Sequence, residues 1–255
     1  MADVAICFFS ATGNGFYIAK EMKKYIQGDL LYIPKIIGKD LSEYKKIIII
    51  TPIYLFAIPN IVKRFINSIP KLSNDTKVYI VINYAGLVGN ASYYIKSFCA
   101  KKGVNICAVY KVAMPLTYTL FAEELQLVVK RLIKTSPKRV KKVADKINAN
   151  QQMKIRSNCF AFLSKLHDKT EWKWGSFAKE KFQVAASCDL CGYCKKICPA
   201  ENIEIKGGKV HFKEQCISCL ACYHRCPQKS INCGHKTIGR KRYVNPNVNL
   251  DEMYI

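Results

Sequence analysis

The sequence contains no uninterrupted apolar run approaching the eighteen or so residues that would span a lipid bilayer. Its first three residues, Met-Ala-Asp, also lack the basic stretch that begins a secretory signal peptide. These two absences argue against a membrane-spanning or a secreted protein. We therefore expect a soluble, cytoplasmic protein whose cysteine thiols are kept reduced.

Acidic residues are scarce, with 18 Asp and Glu against 41 Lys and Arg, and the formal net charge is +23. This excess is consistent with an acidic protein partner, with nucleic acid or with a solvated lysine-rich surface. The basic residues are spread along the chain, which favours the solvated surface. The length of 255 residues, half of them hydrophobic, allows one ordinary domain and a small one.

Cysteine, in contrast, is abundant, and eight of the 13 cysteines follow one pattern. The phrase C-x2-C-x2-C-x3-C-P occurs twice between Cys188 and Pro227. In such a phrase three closely spaced thiolates surround one iron–sulfur cube, and the fourth ligates the other cluster. The spacing therefore predicts one [4Fe–4S] cluster on Cys188, Cys191, Cys194 and Cys226 and a second on Cys216, Cys219, Cys222 and Cys198.

This segment resembles a bacterial two-cluster ferredoxin over both motifs. Structural zinc is a poorer interpretation, because it is typically held by two C-x2-C pairs separated by a spacer. Disulfides would need an oxidising compartment and usually an even number of cysteines.

The N-terminal region begins with a strand, a small polar loop and a helix. Residues 4–9 form an apolar run of strand length, and a helix is expected from Phe16 to Gln27. The loop between them lacks the Lys-Ser/Thr of a Walker A motif and the third glycine of G-x-G-x-x-G. It resembles the loop with which flavodoxins hold the FMN phosphate, although Gly15 stands where many flavodoxins have Thr. The resemblance implies phosphate contacts from Ser10, Ala11, Thr12, Gly13, Asn14 and Gly15. An ordinary Ser/Asn-rich turn is the alternative.

Strands and helices then alternate, which predicts an α/β fold with a parallel sheet. The resemblance to flavodoxins implies that the sheet is doubly wound and five-stranded, in the order 2-1-3-4-5. Two further loops resemble those that flank the flavin ring in flavodoxins. They contain Pro52, Ile53, Tyr54, Leu55 and Phe56 after strand three and Asn83, Tyr84, Ala85 and Gly86 after strand four. Tyr54, Phe56 and Tyr84 are candidates to stack on the ring, and an ordinary core contact is the alternative for each.

The sequence predicts a flavodoxin-like FMN-binding domain at 1–150, an aromatic and basic connector at 151–183, a small α+β two-cluster ferredoxin domain at 184–234 and a tail at 235–255. A hairpin around Gly207-Gly208 and its pseudo-repeat after Cys226 should shield the clusters.

Two helices are expected at Phe121–Thr135 and from Ser136 to about Asn148, the second with a basic face. His224 is expected to be solvated, and Cys7, Cys99 and Cys107 to be buried. The aromatics expected to pack between the domains are Trp172, Trp174, Phe177 and Phe182.

The arrangement is similar to the flavodoxin–ferredoxin fusions of anaerobic bacteria. It implies an electron-transfer protein with two [4Fe–4S] clusters and FMN that exchanges electrons with a protein redox partner, which the basic charge suggests is acidic. An FMN-dependent oxidoreductase that reduces a quinone or nitro compound is the first alternative, and a redox sensor binding nucleic acid is the second. A homodimer is left open, because the sequence does not give the separation between flavin and clusters.

Overall fold

The structure is a computed structural model, and it describes residues 2–54, 56–120, 123–157 and 181–254. Five parallel strands form one sheet in the order β2-β1-β3-β4-β5, which confirms the predicted fold class. These strands are β1 (Val4–Phe8), β2 (Asp29–Tyr32), β3 (Lys46–Pro52), β4 (Lys77–Tyr84) and β5 (Ile106–Ala113). Residues 47–50 have no exposed surface, as expected for a central strand covered on both faces.

Helices connect the strands and cover both faces of the sheet. They are α1 (Asn14–Lys23), α2 (Ile33–Ile36), α3 (Asn60–Ser68), α4 (Ala91–Lys101) and α5 (Gln126–Asn148). Strand β1 lies between β2 and β3, so the chain order reverses beside β1, and ligands bind at such a point in open α/β sheets. Pro52 at the end of β3 lies beside Asn83 at the end of β4, which brings two of the predicted binding loops together.

Helix α5 runs without a break from Gln126 to Asn148, so the prediction of two separate helices was wrong. Pro137 lies inside it and has no N–H to donate to the carbonyl of Ile133, four residues earlier. The Ser136 hydroxyl donates to that carbonyl at 2.7 Å. The Ser136 side chain is fully buried, and its bond replaces the missing N–H bond of the proline, so that the helix continues through Pro137.

We expect Ser136→Ala to lower the free energy of unfolding by about 1 kcal/mol, the usual net contribution of one hydrogen bond. In a Pro137→Ala background the restored N–H can pair with the Ile133 carbonyl, so the same substitution should cost much less. Urea unfolding followed by far-UV circular dichroism gives the four free energies of this double-mutant cycle. Equal losses in both backgrounds would show that the hydroxyl does not compensate for the proline.

The C-terminal region contains short elements around the cysteine motifs: β6 (Phe182–Val184), α6 (Tyr193–Lys196), β7 (Ile203–Lys206), β8 (Lys209–Phe212), α7 (Ala221–Arg225) and β9 (Ile231–Cys233). Strands β7 and β8 form the predicted hairpin, and Gly207 and Gly208 turn it with φ of +56° and +68°. The predicted pseudo-repeat after Cys226 was wrong, because β9 pairs with β6, which precedes the first motif. Phe182 of β6 stacks on Phe212 of β8, with ring centroids 4.7 Å apart.

Cys7 and Cys99 are fully buried as predicted, whereas Cys107 on the edge strand β5 is only half-buried. The predicted packing of Trp172, Trp174 and Phe177 between the domains lies outside the described residues. Among the helices that the structure describes, none combines the length and the apolar character needed to cross a membrane.

Candidate functional site

The two cysteine motifs enclose two separate cavities. Cys188, Cys191 and Cys194 line the first together with Cys226 of the second motif, and this cavity is partly open to solvent. Cys216, Cys219 and Cys222 line the other together with Cys198 of the first motif. The structure therefore groups the same cysteines that the spacing groups, with the fourth member of each set taken from the other motif.

The chain around the second cavity directs main-chain N–H groups at sulfur. Ser218 N–H donates to Cys216 Sγ at 3.4 Å, and Asn202 N–H donates to Cys198 Sγ at 3.3 Å. Ser218 has a φ of +53°, a left-handed conformation inside the tight cysteine loop. Within the described residues, no group of three or more His, Cys, Asp or Glu side chains meets closely enough to hold a single metal ion. Four thiols instead line each cavity, and four thiolates are the ligands of a [4Fe–4S] cluster.

The two cysteine sets differ in what surrounds them. Cys191 in the first set is exposed, and so is its neighbour Leu190. Cys219 in the second set packs against the main core of the α/β domain and against a small apolar cluster of Ala11, Ile197 and Ala221, in which Ala11 belongs to the predicted phosphate loop. The second set therefore lies at the contact between the cysteine-rich region and the α/β domain.

The loop between β1 and α1 is buried along residues 10–15. The Ser10 hydroxyl accepts hydrogen bonds from the N–H groups of Gly13 and Gly15, at 3.0 and 3.1 Å. The N–H groups of Ala11 and Thr12 have no hydrogen-bond acceptor among the described residues. The N–H group of Asn14 has no acceptor within the helix, because Asn14 is the first residue of α1. Buried N–H groups without a partner are costly, and at a helix N-terminus they suit an anionic phosphate.

Gly15 is required by the tight path of this loop. A Cβ atom at this position would lie well inside van der Waals contact with the main-chain oxygen of Phe9. The loop therefore has no room here for the threonine that many flavodoxins have, unless its backbone moves.

The loop after β3 turns back tightly, with Tyr54 N–H donating to Ala57 O at 2.8 Å and Ala57 N–H to Tyr54 O at 3.1 Å. Phe56 adopts a φ of +71° at this turn, and its ring lies directly against Gly89. The Tyr54 ring lies 6.4 Å from that of Tyr118. Burial raises the pKa of the Tyr54 hydroxyl well above its usual value, and the nearby Cys219 thiol adds to the effect. Of the other predicted residues here, Pro52 and Ile53 are half-buried and Leu55 lies outside the described residues.

The end of β4 supplies the other predicted loop. The Asn83 side-chain oxygen is buried and has no hydrogen-bond partner among the described residues. Tyr84 and Ala85 are half-buried, and Gly86 is exposed with a φ of +67°. An unpaired amide oxygen beside half-buried aromatic residues fits the polar edge of a bound ring.

A family model described as a flavodoxin domain matches residues 5–145, more than half of the chain. The chain belongs to the flavodoxin family. A second family model, described as a 4Fe-4S dicluster domain, matches residues 187–231. The protein is therefore a flavodoxin–ferredoxin fusion, a flavin and iron–sulfur electron-transfer protein. The flavodoxin domain implies FMN, and the dicluster domain implies iron–sulfur clusters.

Solved flavodoxins have similar but distant structures. Flavodoxin from Fusobacterium nucleatum bound to flavin mononucleotide is 14% identical, with a TM-score of 0.42, and the match covers 60% of this chain and 100% of that one. Two-electron reduced Megasphaera elsdenii flavodoxin is 17% identical, with a TM-score of 0.41, and the match covers 56% and 98%. No curated protein shows significant sequence similarity to the chain.

Two buried residues of α7, Arg225 and His224, were not assigned a role from the sequence. Arg225 is 6% exposed and donates to the Tyr193 hydroxyl at 2.7 Å. Its charge lies in helix α7, which connects Cys222 to Cys226, where it would offset the negative charge of thiolate-bound clusters. The sequence gives a weak signal for this role, since Arg225 stands inside the second motif.

His224 is 4% exposed, so the prediction of a solvated histidine was wrong. Its Nε2 donates to the Thr117 carbonyl at 2.6 Å, and its Nδ1 accepts from Tyr243 N–H at 3.1 Å. Burial lowers its pKa to about 4, which keeps the ring neutral and able to make both bonds.

Proposed function

We propose that this protein carries electrons between a protein redox partner and FMN by way of two [4Fe–4S] clusters. The observation that carries the proposal is that Cys219 packs against the core of the flavodoxin domain and against the apolar cluster that contains Ala11 of the phosphate loop. This packing joins the second cysteine set to the flavodoxin domain within one chain. When bound, the clusters exchange single electrons and the flavin one or two. The arrangement needs no residue that acts as an acid or base.

The cysteines would hold the two clusters at different distances from the flavodoxin domain. The set of Cys198, Cys216, Cys219 and Cys222 would hold the proximal one, since Cys219 packs on the flavodoxin domain. The set of Cys188, Cys191, Cys194 and Cys226 would hold the distal one, with Cys191 exposed for exchange with a partner. Both sets draw on both motifs, so the two clusters would sit next to each other.

The flavodoxin domain would hold FMN partly through polar groups that have no partner among the described residues. The N–H groups of Ala11, Thr12 and Asn14 would bind the phosphate. The Asn83 amide oxygen, together with Tyr54 and Tyr84, would contact the ring at the ends of β3 and β4. Tyr54 would also keep water from the region between the ring and Cys219.

We propose an acidic protein as the redox partner. The net charge of +23 would steer such a partner towards the molecule. Lys195 and Lys196 are exposed on α6, which carries Cys194 of the distal set. This places positive charge beside the cysteines that are most accessible from solvent. We retain the predicted domain limits of 1–150, 151–183, 184–234 and 235–255 as part of the proposal, except that the ferredoxin domain begins at Phe182, because β6 pairs with β9 along its whole length.

The proposal is tested by purifying the protein without oxygen and measuring iron, sulfide and flavin per chain. We expect about eight irons, about eight sulfides and about one FMN. About four irons would show that only one cysteine set binds a cluster. Eight irons without flavin would overturn the role of the flavodoxin domain, and would leave a ferredoxin attached to a flavodoxin scaffold.

A further inference from the structure

The C-terminal residues 243–253, here called the clasp segment, lie on the phosphate loop. Asn245 N–H donates to the Thr12 carbonyl at 2.8 Å. Val248 and Leu250 lie so close to Gly13 that a Cβ there would be 2.9 Å from each. Leu250 and Met253 are buried in the main core of the flavodoxin domain. Residues more than 200 positions away in the sequence thus cover the loop that follows β1.

Within this contact, Asn14 has both ends of its side chain engaged. Its Oδ1 accepts from the Tyr243 hydroxyl at 2.7 Å and from Asn245 Nδ2 at 3.0 Å. Its Nδ2 donates to the Pro115 carbonyl at 3.1 Å. The Asn14 side chain therefore fixes the first turn of α1, and its main-chain N–H remains directed into the loop.

Tyr243 also reaches the ferredoxin domain. Its main-chain N–H donates to His224 Nδ1 at 3.1 Å, and His224 lies in α7 between Cys222 and Cys226. Arg242, the preceding residue, packs its guanidinium 4.3 Å from the Tyr223 ring and donates to the Ile231 carbonyl at 2.9 Å. The start of the clasp segment is therefore anchored on the helix that carries cluster-ligating cysteines.

We propose that Tyr243 is a positioning residue that joins the phosphate loop to α7. It would hold FMN at a fixed position relative to the proximal cysteine set. The inference rests on the proposed binding of FMN and adds a determinant outside the flavodoxin domain. The Tyr243 hydroxyl holds the Asn14 side chain, which keeps the free N–H groups of the loop aligned for a phosphate. The Tyr243 main-chain N–H holds the His224 ring, which connects the loop to α7, the helix that contains Cys222.

The test compares the wild type with Tyr243→Phe, which removes only the hydroxyl and keeps the N–H bond to His224. Protein freed of flavin, with its clusters intact, is titrated anaerobically with FMN and with riboflavin, and bound flavin is measured by fluorescence quenching. We expect Tyr243→Phe to weaken FMN binding about tenfold, the usual effect of losing a buried hydrogen bond. Riboflavin has no phosphate, so its affinity should be unchanged.

Tyr110→Phe is the matched control, because its hydroxyl donates to the Gln151 carbonyl at 3.1 Å, away from the loop. It should leave the affinity for both flavins unchanged. Asn14→Ala removes the acceptor, and in that background Tyr243→Phe should have little further effect on FMN binding. Asn245→Ala is a second variant, and should weaken FMN binding but not riboflavin binding.

Equal FMN affinity in the wild type and Tyr243→Phe would overturn this inference and would leave the proposed function unaffected. Tighter FMN binding in the variant would also overturn it, because the clasp segment would then be a competitor of the phosphate. A parallel loss of FMN and riboflavin would show that the hydroxyl merely supports the fold, and would overturn a positioning role. Failure of the wild type to bind FMN would overturn both this inference and the flavin part of the proposed function.

Discussion

Replacing Cys219 with Ser is expected to remove about half of the iron, leaving about four irons per chain. Cys219 lines the cavity shared by Cys198, Cys216 and Cys222, and a serine hydroxyl is a poor substitute for a thiolate ligand of iron. The FMN of the protein should then no longer be reduced through the clusters, because the set that packs on the phosphate loop is the one that is lost. Iron analysis and anaerobic reduction followed by visible spectroscopy measure the two effects.

The crossed pairing of the motifs makes this prediction sharper. Cys198 stands in the first motif but lines the cavity of the second, so Cys198→Ser should leave the same residual cluster spectrum as Cys219→Ser. Cys226→Ser should instead match Cys191→Ser. Electron paramagnetic resonance of the reduced proteins distinguishes the two residual clusters. Identical spectra for Cys198→Ser and Cys191→Ser would show that each motif binds its own cluster.

Cys233 supplies the control for all four variants. It is a buried cysteine of the ferredoxin domain, 2% exposed, and it does not line either cavity. Cys233→Ala should therefore keep the full iron content. A loss of iron in this variant would mean that iron content reports damage to the fold and not the loss of a ligand.

Gly15→Thr is expected to weaken FMN binding at least tenfold, although it restores the residue found in many flavodoxins. From the sequence alone, the added hydroxyl should provide another phosphate contact. In the structure the new Cβ would collide with the Phe9 carbonyl, so the loop must move and its N–H groups lose their alignment. Overpacking of this kind also lowers the free energy of unfolding by about 1–3 kcal/mol. Fluorescence titration with FMN and urea unfolding measure the two effects.

Gly103→Ala is the control for this substitution. Its Cβ would meet no atom within 4 Å, and the φ of +73° carries only the modest cost of a left-handed residue, about 1–2 kcal/mol. We expect some loss of stability and unchanged FMN affinity. Tighter FMN binding by Gly15→Thr would show that the loop adapts readily and that the glycine is not needed for its path.

The sequence is most informative where function depends on local spacing. The two cysteine motifs and the loop at residues 10–15 are short, and their spacing is set by the geometry of the groups that they bind. The parallel arrangement of the strands follows from the alternation of apolar runs with helices, since parallel strands need crossover connections. The order 2-1-3-4-5 was implied by the resemblance to flavodoxins. These local features are sufficient to indicate a flavodoxin–ferredoxin fusion.

Sequence-based expectations fail where a side-chain hydrogen bond changes the usual behaviour of a residue type. Pro137 is typical of a helix start, and the pattern does not show that the Ser136 hydroxyl can satisfy the Ile133 carbonyl. His224 was expected in water, because its partners Thr117 and Tyr243 are 107 and 19 positions away. In both cases the deciding hydrogen bond is absent from the sequence pattern.

Only the tertiary structure decided how the two domains meet. It placed Cys219 against the core of the flavodoxin domain and against the apolar cluster that contains Ala11, and so determined which cysteine set lies beside the flavodoxin domain. It also brought Tyr243 to Asn14, two residues 229 positions apart. Spacing along the chain determines which atoms a short segment can present to a ligand, and the sequence therefore determined the cofactor types that we propose. The choice of neighbours between distant segments depends on the packing of whole surfaces, which no local pattern encodes.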